Sequence, residues 1–400
     1  MKMPHLVCTK CQKEFLITRV HPRCSGCNEP LEVVYPRLKK GKISLRGTLI
    51  ERYQAFFPFR LIHEGISLGE GNTPLLQSSV VASELGLKKL FFKNETQNPT
   101  WSFKDRGTVA GLEHALSLGF KKIGTVSTGN MAVSVAAYGA RAKVDTYVLV
   151  SAGLPEEKIG PIAIYHPHLI MVDGDYGELY FKSLEIGERF GIYFISSDVP
   201  FRVEGSKTIA FEVCEQMSFE PPDYVVVPVS AGGNVRGILK GFEEFYRVGL
   251  IDRIPKMIVS QASGCSPITN AFEKGCGSIE RVVDPHTIAH AIENPFPPSG
   301  NQVLRKLKEN AGTAVKVSDE EILEAQALMA REGIFGQPAA AVPLAAVKKL
   351  LAKGYLKPTD SVVCIVTGGG LKYTAALEHH RFNVEKTGLE KIDEVLKRNL

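Results

Sequence analysis

A lysine that follows a turn and opens a predicted helix is the first residue in this chain whose position suggests chemistry. The Asn-Pro pair at 98–99 is a turn signal. Apolar residues then recur at helical spacing, so we predict a helix over 103–118, with Thr100 or Ser102 as its N-cap. Lys104 lies in the first turn, where the helix dipole disfavours an ammonium and lowers its pKa. Such a lysine can act as an amine nucleophile; the alternative is a solvated surface lysine.

Four cysteines near the N-terminus have the spacing of a metal site. Two C-x2-C pairs, separated by a short gap, can supply four thiolates to one tetrahedral Zn²⁺, and the residues are Cys8, Cys11, Cys24 and Cys27. The alternative is a pair of disulfides, which a reducing compartment disfavours. Because four thiolates leave no open position for a substrate, we predict a structural zinc ribbon over residues 1–36.

Three short turns that contain glycine and a hydroxyl group each follow a predicted buried strand, at 127–130, 230–234 and 367–370. Ligands of open α/β sheets bind beyond the carboxyl ends of the strands, and backbone N–H groups in such turns can approach an anion. The chain has neither a G-x-x-x-x-G-K-[ST] motif nor a G-x-G-x-x-G motif after its first strand. It therefore lacks the glycine-rich loops that bind nucleoside triphosphates and dinucleotides. A reactive lysine together with a phosphate-binding turn is what pyridoxal phosphate requires.

The elements that must position these residues form a repeating βα pattern. Apolar runs predict buried strands at 89–93, 123–126, 144–150, 169–172, 192–195, 224–229, 256–260, 314–317 and 361–366. Amphipathic stretches predict helices at 103–118, 131–142, 156–166, 176–190, 204–217, 234–247, 266–273, 299–311, 319–331, 339–353 and 384–399. This pattern predicts an α/β fold with two open parallel-sheet lobes, covered by helices on both faces. The predicted units are the ribbon at 1–36, a linker and first segment of the C-terminal lobe at 37–82, an N-terminal lobe with Lys104 at 83–200, and a C-terminal lobe at 201–400.

Composition and charge limit the partners. The formal net charge is +5 over 400 residues, without a long basic run, so we expect no nucleic-acid partner. A basic and aromatic segment at 36–64 is predicted to lie over the next domain; the alternative is nucleic-acid binding. The absence of an apolar run long enough for a membrane helix predicts no membrane segment, and the absence of a signal segment predicts a cytoplasmic protein.

Several motifs together resemble the threonine synthases, a family of pyridoxal-phosphate enzymes in the tryptophan-synthase-β-like group (fold type II). The motifs are at 69–75 (GEGNTPL), 98–107 (NPTWSFKDRG), 127–130 (STGN), 202–208 (RVEGSKT), 232–234 (GGN) and 367–372 (TGGGLK). The resemblance covers residues 69 to about 373, and some members also carry an N-terminal zinc ribbon. It implies the fold-type-II architecture and a homodimer.

The resemblance also implies roles around the cofactor. Lys104 would form the Schiff base with the cofactor and then move protons as general base and acid. Phe103 would pack beside the cofactor ring, Asn130 would bond its phenolic oxygen, and Thr367 would place a hydroxyl at its pyridine nitrogen. The turn that would hold the cofactor phosphate comprises Ser230, Ala231, Gly232, Gly233 and Asn234.

The implied reaction converts O-phospho-L-homoserine and water to L-threonine and phosphate, by γ-elimination and β-addition of water. The residues matched to the substrate phosphate are Ser127, Arg202 and Asn234, with Lys207 as a nearby extra candidate. The alternative function is a threonine or serine dehydratase, or a β-replacing enzyme that acts on phosphoserine. A binding protein on an inactive scaffold is a further alternative, against which the intact lysine argues.

Three positions depart from the family pattern. Met131 stands where many members have threonine, Ser196 where many have asparagine, and Trp101 where glycine is usual. A methionine cannot donate a hydrogen bond to a phosphate. Either other donors compensate for Met131, or the substrate differs.

Overall fold

The N-terminal ribbon is a small antiparallel sheet in this computed structural model, which describes residues 3–41, 43–44, 46–59, 63, 65–152, 156–173 and 176–399. Its strands β1 (His5–Cys8), β2 (Glu14–Phe15) and β3 (Leu31–Val34) lie in the order β2-β1-β3. Leu6 and Val33 alternate inward with Cys8 to form a small core. Phe201, from the body of the protein, packs into the same core. The ribbon is therefore docked onto the body.

The basic and aromatic segment after the ribbon lies over the body, as predicted. It contains the short helix α1 (Leu49–Arg52) and buries Tyr53, Phe56 and Phe57 in the main core. Its positions 42, 45, 60–62 and 64, which include the predicted basic residues Lys42 and Arg60, lie outside the described residues.

Strands and helices alternate along the rest of the chain. The first half contains β4 (Leu75–Gln77), α2 (Val80–Leu85), β5 (Lys89–Asn94), α3 (Lys104–Ser117), β6 (Lys122–Val126), α4 (Asn130–Ala142), β7 (Asp145–Ser151), α5 (Glu156–Ala163), β8 (His168–Val172), α6 (Tyr176–Phe190) and β9 (Tyr193–Phe194). The second half contains α7 (Pro200–Ser206), α8 (Thr208–Gln216), β10 (Tyr224–Pro228), α9 (Gly233–Arg247), β11 (Lys256–Ala262), α10 (Pro267–Glu273), α11 (Gly300–Glu309), β12 (Thr313–Val317), α12 (Asp319–Arg331), α13 (Pro338–Ala352), β13 (Ser361–Val366) and α14 (Ile392–Asn399).

These strands form two sheets, which confirms the predicted α/β fold with two lobes. The larger sheet has six strands in the order β12-β11-β10-β13-β5-β4, all parallel except β4. The smaller has four parallel strands in the order β8-β7-β6-β9. The structure differs from the predicted domain limits at β5, which we expected in the lobe at 83–200. It pairs in parallel with β13, so it is a strand of the larger sheet.

The core explains why the central strands are apolar along their whole length. Val225 and Val227 of β10 face one hydrophobic cluster, and Val226 between them faces another. Strand β13 alternates in the same way, with Val363 in the first cluster and Cys364 in the second. Helices cover both faces, so neither set of side chains meets water. Among the described residues, no helix has the length and apolar character that a membrane crossing requires.

Two helix predictions need correction. The stretch predicted as one helix at 204–217 is two helices, α7 and α8, which meet at Lys207. The C-terminal helix begins at Ile392, well after the predicted start at 384. In addition, β4 and α2 were not predicted, because each is too short to show a clear period.

Candidate active site

A cavity of about 1960 Å³ is lined by the residues that follow β6, β10 and β13, the three strands whose glycine turns the sequence singled out. It brings together most of the predicted site, namely Phe103, Lys104, Ser127, Asn130, Arg202, Ser230, Ala231, Gly232, Gly233, Asn234 and Thr367. These residues come from both sheets, and the carboxyl ends of parallel strands are where such folds bind ligands. The cavity is therefore the candidate active site.

The turn before α3 is held by the carboxylate of Asp105. Its oxygens accept hydrogen bonds from the backbone N–H of Thr100 at 2.7 Å and from the Thr100 hydroxyl at 2.6 Å. The predicted N-cap was wrong: the cap position is Phe103, without a side-chain hydrogen bond, because the hydroxyl of Thr100 is engaged by Asp105. The result is that Lys104 begins the helix at the cavity wall.

Two backbone hydrogen bonds tie this turn to the third glycine turn. The N–H of Phe103 donates to the carbonyl of Thr367 at 3.1 Å, and the N–H of Gly369 donates to the carbonyl of Trp101 at 2.9 Å. Trp101 has a φ of 57°, a left-handed conformation that bulky residues rarely adopt. The pairing sets Thr367 beside Phe103 and Lys104.

The Lys104 amine has a pKa that is lowered to about 7, first by burial and then by the positive charges of Arg202 and Lys372. Arg202 lies next to it, with Nη2 donating to the carbonyl of Lys104 at 3.2 Å and Nη1 donating to the Thr108 hydroxyl at 2.9 Å. Lys372 donates to the carbonyl of Thr100 at 2.7 Å, and burial lowers its own pKa to about 8. The direction agrees with the sequence prediction, but the causes are burial and two cations from distant parts of the chain.

The second glycine turn leads into the N-terminus of α9, which begins at Gly233. Gly232 has a φ of +98°, a conformation that favours glycine. Both polar atoms of the Asn234 side chain are buried without a hydrogen-bond partner in the described part of the chain. A helix N-terminus with free N–H groups and an unpaired amide is suited to an anion such as a phosphate.

The first glycine turn presents Asn130 at the start of α4. Its Nδ2 donates to Gln337 Oε1 at 3.3 Å, and a Cβ placed on Gly368 would lie only 3.1 Å from the same nitrogen. Asn130 therefore faces the turn that carries Thr367. An amine, an amide, a hydroxyl and an anion-binding turn around one cavity fit the aldehyde, phenolic oxygen, ring nitrogen and phosphate of pyridoxal phosphate.

Lys207 does not line this cavity, so its prediction as a phosphate ligand is corrected. Its ammonium lies 2.5 Å from Glu204 Oε2 and 2.9 Å from Glu244 Oε2, and it donates to the carbonyl of Phe56. These two carboxylates also pair with Lys240, and Glu204 accepts a hydrogen bond from a ribbon residue, Tyr35. Lys207 thus belongs to a buried ion cluster behind the site.

The three departures from the family pattern differ in their surroundings. Met131 lines the cavity but is 3% exposed and packs in the main core. The Ser196 hydroxyl is buried without a partner among the described residues. Trp101 lines the cavity wall with 59% of its surface exposed. Only Trp101 presents a large, accessible side chain near the predicted substrate.

The sequence prediction missed several polar residues of the cavity, among them Gln337, Lys372 and Arg23. Gln337 precedes α13 without any motif around it. Lys372 lies in the TGGGLK motif, but nothing there indicated that its ammonium would lie near Lys104. Arg23 precedes a predicted zinc ligand, and its place at the cavity depends on how the ribbon docks.

The four ribbon cysteines have sulfur atoms that all lie within 4.8 Å of one another. Four thiolates bound at about 2.3 Å to one tetrahedral ion have sulfurs about 3.8 Å apart. The cluster is therefore compatible with a structural Zn²⁺ and, with four ligands, leaves no position for a substrate.

Comparison with solved structures supports the fold. Maize serine racemase superposes with a TM-score of 0.64 at 21% sequence identity, over 82% of this chain and 94% of that one. At this identity the likeness concerns the fold alone.

Comparison of sequences is more specific. Residues 66–368 match the family model described as "Pyridoxal-phosphate dependent enzyme". The threonine synthase of Methanocaldococcus jannaschii is 40% identical over 373 residues, 91% of this chain and 92% of that protein. The threonine synthase of Methanosarcina acetivorans is 36% identical over 376 residues, 92% of each chain. Matches of this extent show that the chain belongs to the family of pyridoxal-phosphate dependent enzymes and, within it, to the threonine synthases.

Proposed function

We propose that this protein converts O-phospho-L-homoserine and water to L-threonine and phosphate. The observation that carries the proposal is that the cavity contains a second group that can bind an anion. The turn at 230–234 is suited to the cofactor phosphate, and Arg202 on α7 also lines the cavity, in contact with the backbone of Lys104. An enzyme that expels phosphate from its substrate needs such a second cationic group near its reactive amine.

Lys104 is proposed to move the protons of the reaction. Bound pyridoxal phosphate supplies the electron sink that lets protons leave the carbons next to the substrate amino group. An amine with a pKa of about 7 can accept and return a proton near neutral pH, which is the best condition for acid–base catalysis. Phe103 lies beneath the amine, with the Lys104 Nζ 4.5 Å from its ring centroid.

The substrate phosphate is proposed to bind Arg202, with the Ser127 hydroxyl and the Asn234 amide as further donors. The Asn234 amide, which has no hydrogen-bond partner among the described residues, and the exposure of Ser127 to the cavity support these roles. Met131 then contributes an apolar wall in place of a donor. The guanidinium of Arg202 is already oriented by its bonds to Thr108 and Lys104, so little entropy is lost when it pairs with an anion.

A substrate panel tests this function. We expect equal amounts of phosphate and L-threonine from O-phospho-L-homoserine, and little ketoacid from L-threonine or L-serine. Ketoacid formation without phosphate release would overturn the proposal in favour of a dehydratase. Arg202→Gln should raise KM for the phosphorylated substrate, whereas Lys182→Gln, a change in an exposed ion pair on α6, should leave it unchanged.

We further propose that the cysteine cluster binds one structural Zn²⁺, that two copies form a homodimer, and that the protein acts in the cytoplasm. The sulfur geometry supports the metal, and the family resemblance supports the dimer. The reducing cytoplasm would keep the four thiols free to bind the metal. Metal analysis should give one zinc per chain, and sedimentation should give twice the mass of one chain; a different metal ratio or mass would contradict these proposals.

A further inference from the structure

The zinc ribbon reaches the active-site cavity, which its predicted structural role does not explain. Arg23, Cys27, Asn28 and Glu29, around its second cysteine pair, line the cavity together with Lys104. The ribbon therefore contributes to the wall of the site as well as to the surface of the protein.

Arg23 joins two segments of the body that are far apart in sequence. Its Nη1 lies 2.5 Å from Asp198 Oδ2, and its Nη2 donates to the carbonyl of Pro298 at 3.1 Å. The pair is buried, with side-chain exposures of 9% for Arg23 and 0% for Asp198. The other oxygen of Asp198 accepts a hydrogen bond from the Tyr180 hydroxyl at 2.5 Å. One guanidinium thus links the segments 196–199 and 297–299.

Both segments pack against the second glycine turn. A Cβ placed on Gly233 would lie 2.3 Å from the carbonyl oxygen of Ser197, and one placed on Gly232 would lie 2.9 Å from the Cβ of Ser299. The N–H of Ser299 also donates to the carbonyl of Ala231 at 3.1 Å. Because both segments pack closely against the turn, its position depends on both of them.

The ribbon in turn fixes the guanidinium. Arg23 Nε donates to the carbonyl of Asn28 at 2.7 Å, so the two residues that flank the Cys24 and Cys27 pair are joined. A second arginine, Arg236 on the first turns of α9, donates to Ser299 at 2.8 Å and to the ribbon carbonyl of Leu31 at 3.0 Å. The ribbon therefore contacts both the flanking segments and the helix that the turn opens.

We propose that Arg23 is a positioning residue for the turn that binds the cofactor phosphate, and that the metal-bound ribbon holds it in place. Removing the guanidinium leaves the buried Asp198 without its cation and separates the two segments. The turn then loses its fixed geometry, while Lys104 and the rest of the cavity keep theirs. The inference depends on the family's cofactor but not on the substrate, so its failure would leave the proposed reaction intact.

The experiment compares two cofactor forms, pyridoxal phosphate and pyridoxal, which lacks the phosphate. Each is added to protein freed of cofactor, and its affinity is measured from the visible absorbance of the bound form. For Arg23→Ala we expect affinity for pyridoxal phosphate to fall by at least about tenfold, with pyridoxal affinity unchanged. Arg23→Lys, which keeps the charge, should recover part of the loss.

The matched control is Arg305→Ala. Arg305 also links the body to the ribbon, through Glu29 at 2.8 Å, but it contacts neither flanking segment of the turn in the described structure. Equal effects of the two alanine variants, or equal losses for both cofactor forms, would overturn the proposal. If Arg23→Ala does not fold, the wild-type protein after zinc chelation decides, because an unchanged preference for the phosphorylated form would also overturn it.

Discussion

At the scale of single residues, Lys104 should give the protein a distinctive pH dependence. Only a neutral amine attacks the cofactor aldehyde, and the Lys104 pKa is lowered to about 7 from 10.5. In protein freed of cofactor, we expect the rate of cofactor attachment to rise with pH to a midpoint near 7 and then level off. For a lysine with an ordinary pKa, the rate of attachment would continue to increase well above that pH. Stopped-flow absorbance over a pH series measures this.

The same measurement separates the causes of the shift. Arg202→Gln removes one of the two positive charges near Lys104, so the Lys104 pKa should rise and the midpoint should move to higher pH. Lys182→Gln changes an exposed charge elsewhere and should leave the midpoint unchanged. A midpoint that stays near 7 in Arg202→Gln would mean that the arginine charge has no part in the shift.

Trp101 offers an optical test of the cavity, because it is the single tryptophan of the chain and lines the cavity wall. We expect pyridoxal phosphate to reduce tryptophan emission by energy transfer, and phosphate-bearing substrate to change it again. Emission that does not respond to the cofactor would place the indole away from it. Trp101→Phe should lose the signal and retain the fold, because a side chain that is 59% exposed contributes little to the core.

The positions of site residues at the cavity were predictable where a motif contained them, but not where the direction of a side chain decided the contact. Lys104, Asn130 and Thr367 lie around the cavity as their motifs indicated. The prediction for Lys207 rests on its proximity to Arg202 in the sequence. Five residues on a helix turn a side chain by roughly 140°, so the two point in different directions. Sequence proximity could not reveal this without the docking of α7.

At the scale of elements, a buried ion network joins α3 to α8 beneath the site. Arg106 pairs with Glu95 at 2.6 Å and with Glu212 at 2.7 Å, and Lys93 of β5 pairs with Glu212 at 2.7 Å. All four side chains are essentially unexposed. Arg106 and Lys93 hold the pKa of the Glu212 carboxyl well below its usual range. The network thus anchors the helix that carries Lys104.

Glu212→Gln should be strongly destabilising, since it leaves two buried cations short of negative charge. We expect the free energy of unfolding to fall by about 3–5 kcal/mol. Glu185→Gln, in an exposed pair with Lys182, should leave the free energy of unfolding nearly unchanged. Urea denaturation of both variants measures the difference, and similar losses would contradict a role for the network.

Most helices of the two lobes could be placed from the sequence because their apolar residues recur at a clear period. The break between α7 and α8 could not, because Lys207 between them keeps helical φ and ψ values of −62° and −22°. Next to the break, Gly205 packs so closely on α3 that an added Cβ would lie 2.0 Å from the Arg106 carbonyl oxygen. Close packing of this kind leaves no periodic signal.

At the scale of the whole molecule, the sequence predicted two parallel-sheet lobes but not which strands share a sheet. The parallel strands all have similar apolar sequences, so the sequence does not indicate that β13 and β5 are neighbours in one sheet. The docking of the ribbon was equally hidden, because its contacts use residues such as Arg23 and Tyr35 that match no motif.

The cofactor should stabilise the whole protein, because its proposed ligands come from both lobes. A ligand present at 100 times its dissociation constant adds about 2.7 kcal/mol to the free energy of unfolding. We expect pyridoxal phosphate to raise the unfolding temperature of the wild type, and to raise it less in Lys104→Ala, which cannot bond the cofactor. Calorimetry at several cofactor concentrations measures this, with Lys182→Ala as control. An equal increase in Lys104→Ala would contradict attachment at that lysine.

The placement of β5 in the larger sheet has a consequence for how the protein could be recombined. The smaller sheet is a single insertion between β5 and β10, entered through α3 and left through α7. These helices touch at Gly107 and Gly205, so the entry and exit of the insertion are neighbours. A unit with adjacent ends can be exchanged between related proteins as a cassette. In such a chimera Lys104 and Arg202 would travel together with the insertion, while the phosphate-binding turn would stay with the host.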